Sequence, residues 1–224
     1  MNRKIDTDVM VKTAMLGAIS FVLYFALKAP ISPPFPVFLE INLSDIPALI
    51  GALFLGPLPG VIIVTIKIAL KLVFGMSSTA AVGEFADLLI GIAYVLPAGL
   101  YYKKSTKTAG AALIALAIGS VASMAMAAIA NAAFLVDFYV ELFFGGNKQI
   151  IVDLCHIMLP NATMDTFMTG YIFLIVLPFN LIRCVLGVAV TMLLYKRIMP
   201  ILSRRRTAQT RGIKNTKPQN EQFK

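Results

Sequence analysis

The sequence predicts an all-α integral membrane protein of six transmembrane helices, with both termini on the cytoplasmic side. Six apolar stretches fill residues 9 to 198 of the 224-residue chain. The chain is 58% hydrophobic and 14% charged, with a mean hydropathy of +0.83, whereas soluble domains carry about 25% charged residues. Its Lys and Arg residues gather in alternate connections, which orients the spans. One bundle, residues 1–198, accounts for nearly the whole length. Residues 199–224 read as a basic cytoplasmic tail with no apolar periodicity, expected to be disordered.

The first span covers residues 9–28. Val9–Leu27 is too long for a signal-peptide core and no small-residue cleavage site follows it, so it is read as a retained helix. The Pro-rich segment Ala29–Pro36 cannot be helical and is expected to form an extended cover. The second span, 44–57, opens on Ser44 as N-cap, Asp45 at the positive end of the helix dipole and Pro47 in the first turn. It is short, so it should be tilted or partly buried. Gly56-Pro57-Leu58-Pro59-Gly60 ends it. The third span, 59–75, carries Lys67 and Lys71; the fourth, 81–101, carries Glu84 and Asp87. The fifth runs from 109 to 136 and the sixth from 168 to 196.

Charge sets the orientation. Arg3, Lys4 and Lys12 precede the first span, Lys103, Lys104 and Lys107 follow the fourth, and nine Lys/Arg in 196–224 face one acid, Glu221. The connection 137–167 holds Asp137, Glu141, Asp153 and Asp165 against Lys148, and so belongs outside. Its Phe138, Tyr139, Phe143 and Phe144 suit a segment in the headgroup layer. A basic flank beside a span is attracted to anionic lipid, which accounts for the net charge of +9 without a nucleic-acid partner.

Charges inside the spans are few. Each costs about 2.5–3.5 kcal/mol at a bilayer centre unless it lines a polar cavity or meets a partner. That points to a polar solute held within the membrane. In Leu177-Pro178-Phe179-Asn180-Leu181-Ile182-Arg183, Asn180 and Arg183 share a helix face and offer amide and guanidinium donors to a ligand. The alternative is a structural pair of Arg183 with Glu84 or Asp87. An ion-pair network between spans three and four would make Lys67, Lys71, Glu84 and Asp87 tolerable. For Lys71 and Glu84, snorkelling or plain exposure is the expected account. Asn131 points either into the same cavity or to a neighbouring helix. In span one, Ala14 and Ala18 make a small-x-x-x-small pattern that lets another helix come close, and the small residues of span five imply tight packing.

No G-x-x-x-x-G-K-[ST], H-E-x-x-H or G-x-S-x-G motif occurs, so neither ATP hydrolysis nor hydrolase chemistry is expected of this chain. Cys155, Cys184 and His156 fit no metal spacing, and no metal or cofactor is expected.

Phe38–Gly51, with Leu55-Gly56-Pro57 and Gly60, resembles the substrate-binding S components of energy-coupling factor (ECF) vitamin transporters, most of all the riboflavin-specific branch. Val82–Asp87 and Leu177–Arg183 extend the similarity, which covers residues 8 to 198. The resemblance implies a six-helix protein that binds one vitamin near the outer face under the Pro-rich loop and is not itself an enzyme. It implies docking on a transmembrane coupling subunit and two ATPases, through a small-residue motif matched by Ala14 and Ala18. In the riboflavin branch an Asn on span five and an Asn-x-x-Lys on span six contact the flavin, and Asn131, Asn180 and Arg183 hold those places here. Asp87 and Lys67 would order the polar end, with Glu84, Leu39 and Glu40 completing the candidate set.

The chain departs from that pattern. Arg183 stands where Lys is usual and Asp87 where Asn is expected, and Val64 and Ile68 replace polar residues around Lys67. Aromatic cover for the ring would come from Phe35, Phe38, Phe85 or Tyr94. The alternative substrates are a flavin phosphate (FMN) or pantothenate, which would suit Arg183, and hydroxymethylpyrimidine or a B6 vitamer. An intramembrane lipid-modifying enzyme is a remote alternative resting on Glu84 and Asp87. Arg183→Ala is expected to lose binding with the fold retained.

Overall fold

The computed structural model describes residues 7–30, 35, 39–75, 80–160 and 163–215. Helix α1 (Thr7–Ala26) leads into an antiparallel hairpin of β1 (Lys28–Pro30) and β2 (Glu40–Asn42), with Lys28 opposite Asn42 and Pro30 opposite Glu40. The Pro-rich segment thus begins in the extended form expected of it. Residues 31–34 and 36–38, Phe38 among them, lie outside the described residues.

Next come α2 (Asp45–Phe54), α3 (Pro57–Val73), α4 (Val82–Lys104) and α5 (Ala109–Ala130). A π turn (Asn131–Leu135) joins α5 directly to α6 (Val136–Phe144). After α7 (Lys148–Leu154), α8 (Met164–Tyr171) passes through a second π turn (Ile172–Val176) into α9 (Leu177–Asn215). Four stretches are long and apolar enough to cross a membrane: Thr7–Ala26, Val82–Lys104, Ala109–Phe144 and Thr166–Arg197.

Helix α2 is different. Its ten residues rise only about 15 Å. It is enclosed by α1, α3, α4 and α9, with most of its side chains buried. Gly56, at φ +118°, lets the chain reverse between α2 and α3, and Pro57 and Pro59 then open α3.

The fifth helix does not stop at 136. No Pro or Gly interrupts residues 131–144, so it continues until Gly145 at φ +55°. Phe138, Tyr139, Phe143 and Phe144 therefore ride on α6, their rings in successive contact at 5.9–6.5 Å. Helix α9 likewise continues through 199–215, where an irregular tail was expected; Arg, Leu, Ala and Gln in that stretch are good helix formers. Pro178 has no N–H for the Leu174 carbonyl. The strain is taken up one turn earlier, in the second π turn, where the Leu177 N–H donates to the Ile172 carbonyl. The two π turns touch each other.

The small residues of α5 do pack tightly. A Cβ on Gly119 would lie 2.4 Å from the Tyr94 carbonyl oxygen, so α4 and α5 meet backbone to backbone. On α1 the small residues divide by face. Thr13, Gly17 and Ser20 point inward, and a Cβ on Gly17 would fall 2.7 Å from Ile66 of α3. Ala14 and Ala18 lie on the exposed face, so the close approach within this chain is made at Gly17 instead.

Two large buried apolar clusters fill most of the described bundle, beside a small one of Ala86, Ala130 and Leu135. One, at the hairpin end, joins Phe35 and Ile41 to Ile90, Ala127, Val140, Ile151, Cys155, Tyr171 and Phe179. The other, at the opposite end, joins α2 and α3 to Val95, Tyr102, Leu116, Cys184 and Tyr195. Along α9, Phe179 belongs to the first and Cys184 to the second. Asn180 and Arg183 lie between them.

Candidate functional site

At that boundary four helices each contribute one charge. Asp45 comes from the first turn of α2, Lys67 from α3, Asp87 from α4 and Arg183 from α9. Asp45 Oδ1 accepts from Lys67 Nζ at 3.0 Å, and its Oδ2 from Arg183 Nε at 3.1 Å and from Arg183 Nη2. Arg183 Nη2 also donates to Asp87 Oδ1 at 3.2 Å. Asp87 Oδ2 lies 3.2 Å from Lys67 Nζ, angled so that the two form an ion pair without a hydrogen bond. Two acids and two bases close a ring in which every charge touches two of the opposite sign. Such closure is what makes buried charge tolerable, because an ion pair away from water offsets its desolvation only when its remaining valences are met.

Polar neighbours extend the ring. Lys67 Nζ donates to Ser44 Oγ at 3.3 Å, and Ser44 Oγ donates to Asn42 Oδ1 at 2.5 Å. Ser20 of α1 donates to the Ser44 carbonyl. Ser44 is therefore not a side-chain cap for α2, since its hydroxyl is engaged by Asn42 and Lys67. Asp45, read from the sequence as a helix-dipole residue, is the hub of the network. Its signal was present: it is a carboxylate at the head of a wholly apolar ten-residue helix.

Lys71 and Glu84 form a second pair, Nζ to Oε1 at 2.9 Å, with the ammonium 4.1 Å from the Tyr24 ring centroid. Both are buried. The expectation of exposure or snorkelling is corrected: the pair is buried where α3 meets α4 and Tyr24 of α1.

The two amides are both buried. Asn180 Nδ2 donates to the Val176 carbonyl at 2.9 Å, and Asn131 Nδ2 to the Ala127 carbonyl at 2.8 Å. Asn131 Oδ1 accepts from Tyr171 at 3.4 Å, so Asn131 does reach another helix. Each bond uses one of the two amide donors, and further donor and acceptor capacity is left for a ligand. Asn131 opens the first π turn, and Tyr171 immediately precedes the second. π turns recur at functional sites because the extra residue redirects side chains. Sequence reading missed both.

Leu39 packs half-buried against the hairpin-end cluster, and Glu40 is half-buried in β2. Phe35 is buried and meets Phe179 edge-on at 5.5 Å, next to Asn180. Tyr94 is buried with its hydroxyl near the Cys184 carbonyl at 3.4 Å. Phe85, by contrast, is 54% exposed and tilts against Phe134, so it is no aromatic cover for an interior ligand. Burial pushes the Cys155 thiol, in the connection after α7, up to about 12, which keeps it protonated. Among the described residues no three His, Cys, Asp or Glu side chains gather as metal ligands.

Comparison with known proteins gives a consistent picture. Residues 8–195 match the family model described as ECF transporter, substrate-specific component. The riboflavin transporter FmnP of Bacillus subtilis (strain 168) is 28% identical over 200 residues, covering 89% of this chain and 96% of that protein. The riboflavin transporter RibU of Staphylococcus aureus (strain TCH60) is 30% identical over 201 residues, covering 87% and 92%. A solved S component of a bacterial ECF transporter superposes with a TM-score of 0.63 at 29% identity, over 88% of this chain and 98% of that one.

Proposed function

Since this chain belongs to the substrate-specific components of ECF transporters, we propose that it captures riboflavin at the outer side of the membrane for uptake driven by partner ATPases. It is a multi-pass protein of a bacterial cell membrane, and as a transporter subunit it is not an enzyme. The observation that supports the riboflavin reading is a set of polar groups held inside the bundle by several helices: Asn131 and Asn180 are buried and Arg183 nearly so, and Tyr171, which bonds Asn131, shares an apolar cluster with Phe35 and Phe179. Apolar surroundings with a few placed polar groups suit a flat heteroaromatic ring with polar edges.

In this reading the six spans are α1, α2, α3, α4, α5–α6 and α8–α9, within residues 1–198, and both termini are cytoplasmic. Residues 199–224 then follow the bundle as a cytoplasmic basic segment. The substrate site is drawn from Asn131, Asn180, Arg183, Asp87 and Lys67, with Leu39 and Glu40 at its rim. Glu84 acts at one remove, by holding Lys71. The exposed Ala14 and Ala18 face the transmembrane coupling subunit, and two ATPases supply the energy. The bound vitamin is cargo, and no cofactor is required.

Protein purified in detergent tests the proposal. Riboflavin released on denaturation, and saturable quenching of added riboflavin fluorescence, are the expected results. A preparation indifferent to riboflavin but stabilised against heat by pantothenate, hydroxymethylpyrimidine or a B6 vitamer would overturn the substrate. Turnover of lipid by the isolated chain would overturn the role.

A further inference from the structure

The apolar spans that contain α4 and the start of α9 end on the same pattern, a tyrosine followed by two cations: Tyr102-Lys103-Lys104 and Tyr195-Lys196-Arg197. The fold sets the two patterns against each other. Tyr195 donates to the Lys107 carbonyl at 3.2 Å, so Tyr102 is the donor in the 2.7 Å bond between the two hydroxyls. The rings meet edge-on at 6.2 Å, and Phe54 of α2 stacks on Tyr195 at 5.3 Å. Lys107 donates its ammonium to the Tyr102 carbonyl at 2.7 Å and stands 4.3 Å from that ring's centroid. Both tyrosines are buried, whereas the four cations that follow them are exposed.

The segments that carry these cations hold no acid: none occurs in residues 88–136 or 166–220. At the start of α1, Asp8 is paired with Lys12. Each pair of cations stands where an apolar span ends, which is headgroup depth in a bilayer. One turn further in, and so on the same helix faces, Leu100 and Leu193 are exposed. A polyanion in solution would meet the charges but not the leucines. A phospholipid with an anionic headgroup offers its phosphate to the cations and its acyl chains to the leucines.

We propose that the two tyrosine-and-cation patterns form one binding site for an anionic phospholipid, at the end of the bundle opposite the hairpin. Lys103, Lys104, Lys196 and Arg197 hold the headgroup phosphate, Arg197 through the forked donors of its guanidinium. The buried contact between Tyr102 and Tyr195 keeps the ends of the two spans together, so the cations are gathered before lipid arrives. A basic flank attracts anionic lipid without any contact between helices; here the fold makes a defined place for one headgroup. The site lies apart from the charge ring, and the inference stands whichever vitamin is carried.

The test is thermal unfolding of the purified full chain in a neutral detergent, with phosphatidylglycerol or phosphatidylcholine added at the same mole fraction. Phosphatidylglycerol is expected to raise the midpoint by about 3–6 °C, the effect of a ligand at roughly ten times its dissociation constant. The gain should shrink as salt rises. Lys103→Gln, Lys104→Gln, Lys196→Gln and Arg197→Gln combined should remove most of it. Taking the same charge from the tail, by Arg204→Gln, Arg205→Gln, Arg206→Gln and Arg211→Gln, should leave it in place. No gain from phosphatidylglycerol, or an equal gain from phosphatidylcholine, overturns the site. An equal gain from glycerol phosphate at the same concentration overturns the lipid as its occupant. Equal losses in the two variants replace the site with diffuse attraction. Should the first variant fail to fold, Lys103→Gln with Lys104→Gln is compared with Arg205→Gln with Arg206→Gln and read in the same way.

Discussion

Removing Asp45 should cost this protein more than removing any other member of the charge ring. The carboxylate accepts from Lys67 at 3.0 Å and from Arg183 at two nitrogens, one of them at 3.1 Å, and it is almost wholly buried. In Asp45→Asn both cations stay in place against a single remaining carboxylate, Asp87. Breaking a buried pair by deleting one partner typically costs about 3–5 kcal/mol. At a few degrees per kcal/mol for a chain of this size, the unfolding midpoint should fall by roughly 10 °C. Asp87→Asn should cost less, on the order of 1.5–3 kcal/mol, because Asp45 still serves both cations and the Asp87 carboxylate is partly hydrated. The decisive variant is the double one. Asp45→Asn with Lys67→Met replaces one acid and one base by uncharged residues of similar volume to each and leaves Arg183 paired with Asp87. It should recover on the order of 2 kcal/mol of the loss seen for Asp45→Asn alone. Thermal unfolding in detergent, followed by tryptic resistance or by dye binding at Cys155 and Cys184, reads these changes. If Asp45→Asn melts with the unaltered protein, or the double variant is no better than the single one, the ring is not holding the helices together.

Other outcomes follow from the same geometry. Gly119→Val should destabilise by about 1–3 kcal/mol or more through overpacking, since even a Cβ there meets the Tyr94 carbonyl; the melting midpoint checks it. Asn131→Ala should weaken riboflavin binding by about tenfold or more in a fluorescence titration, whereas Tyr171→Phe, losing only a 3.4 Å bond, should change it a few-fold at most. Ala18→Phe, on the exposed face of α1, should leave melting within about 0.5 kcal/mol yet reduce co-purification with the coupling subunit. Arg183→Ala should lower stability as well as binding, because it leaves Asp45 and Asp87 facing Lys67 alone; a normal melting curve for that variant would contradict the ring.

Helix content and the presence of membrane-spanning helices were legible in the sequence because they depend on local quantities. Runs of apolar residues and the Pro and Gly that interrupt them act within one segment or at its ends. The extended start of the Pro-rich segment at Ala29 and Pro30, the turn at Gly56 and the tight packing of α5 follow from residue types at known offsets. Helix ends followed less well, since nothing between residues 131 and 144 stops a helix and the π turns answer to contacts between α5–α6 and α8–α9.

The candidate site was half legible. A charge or an amide in an apolar stretch announces that it has a partner, and the sequence named Lys67, Glu84, Asp87, Asn131, Asn180 and Arg183 on that ground. Which partner is a tertiary matter. Asp45 and Arg183 lie far apart in the chain, and only the packing of α2 against α9 makes them neighbours. The same packing turned Arg183 from an available cation into a neutralised one, placed Phe85 outside and Phe35 inside, and buried Lys71 with Glu84. The physical reason is that hydrophobicity sums along the chain, whereas electrostatic compensation depends on distances of about 3 Å, which helix packing alone sets.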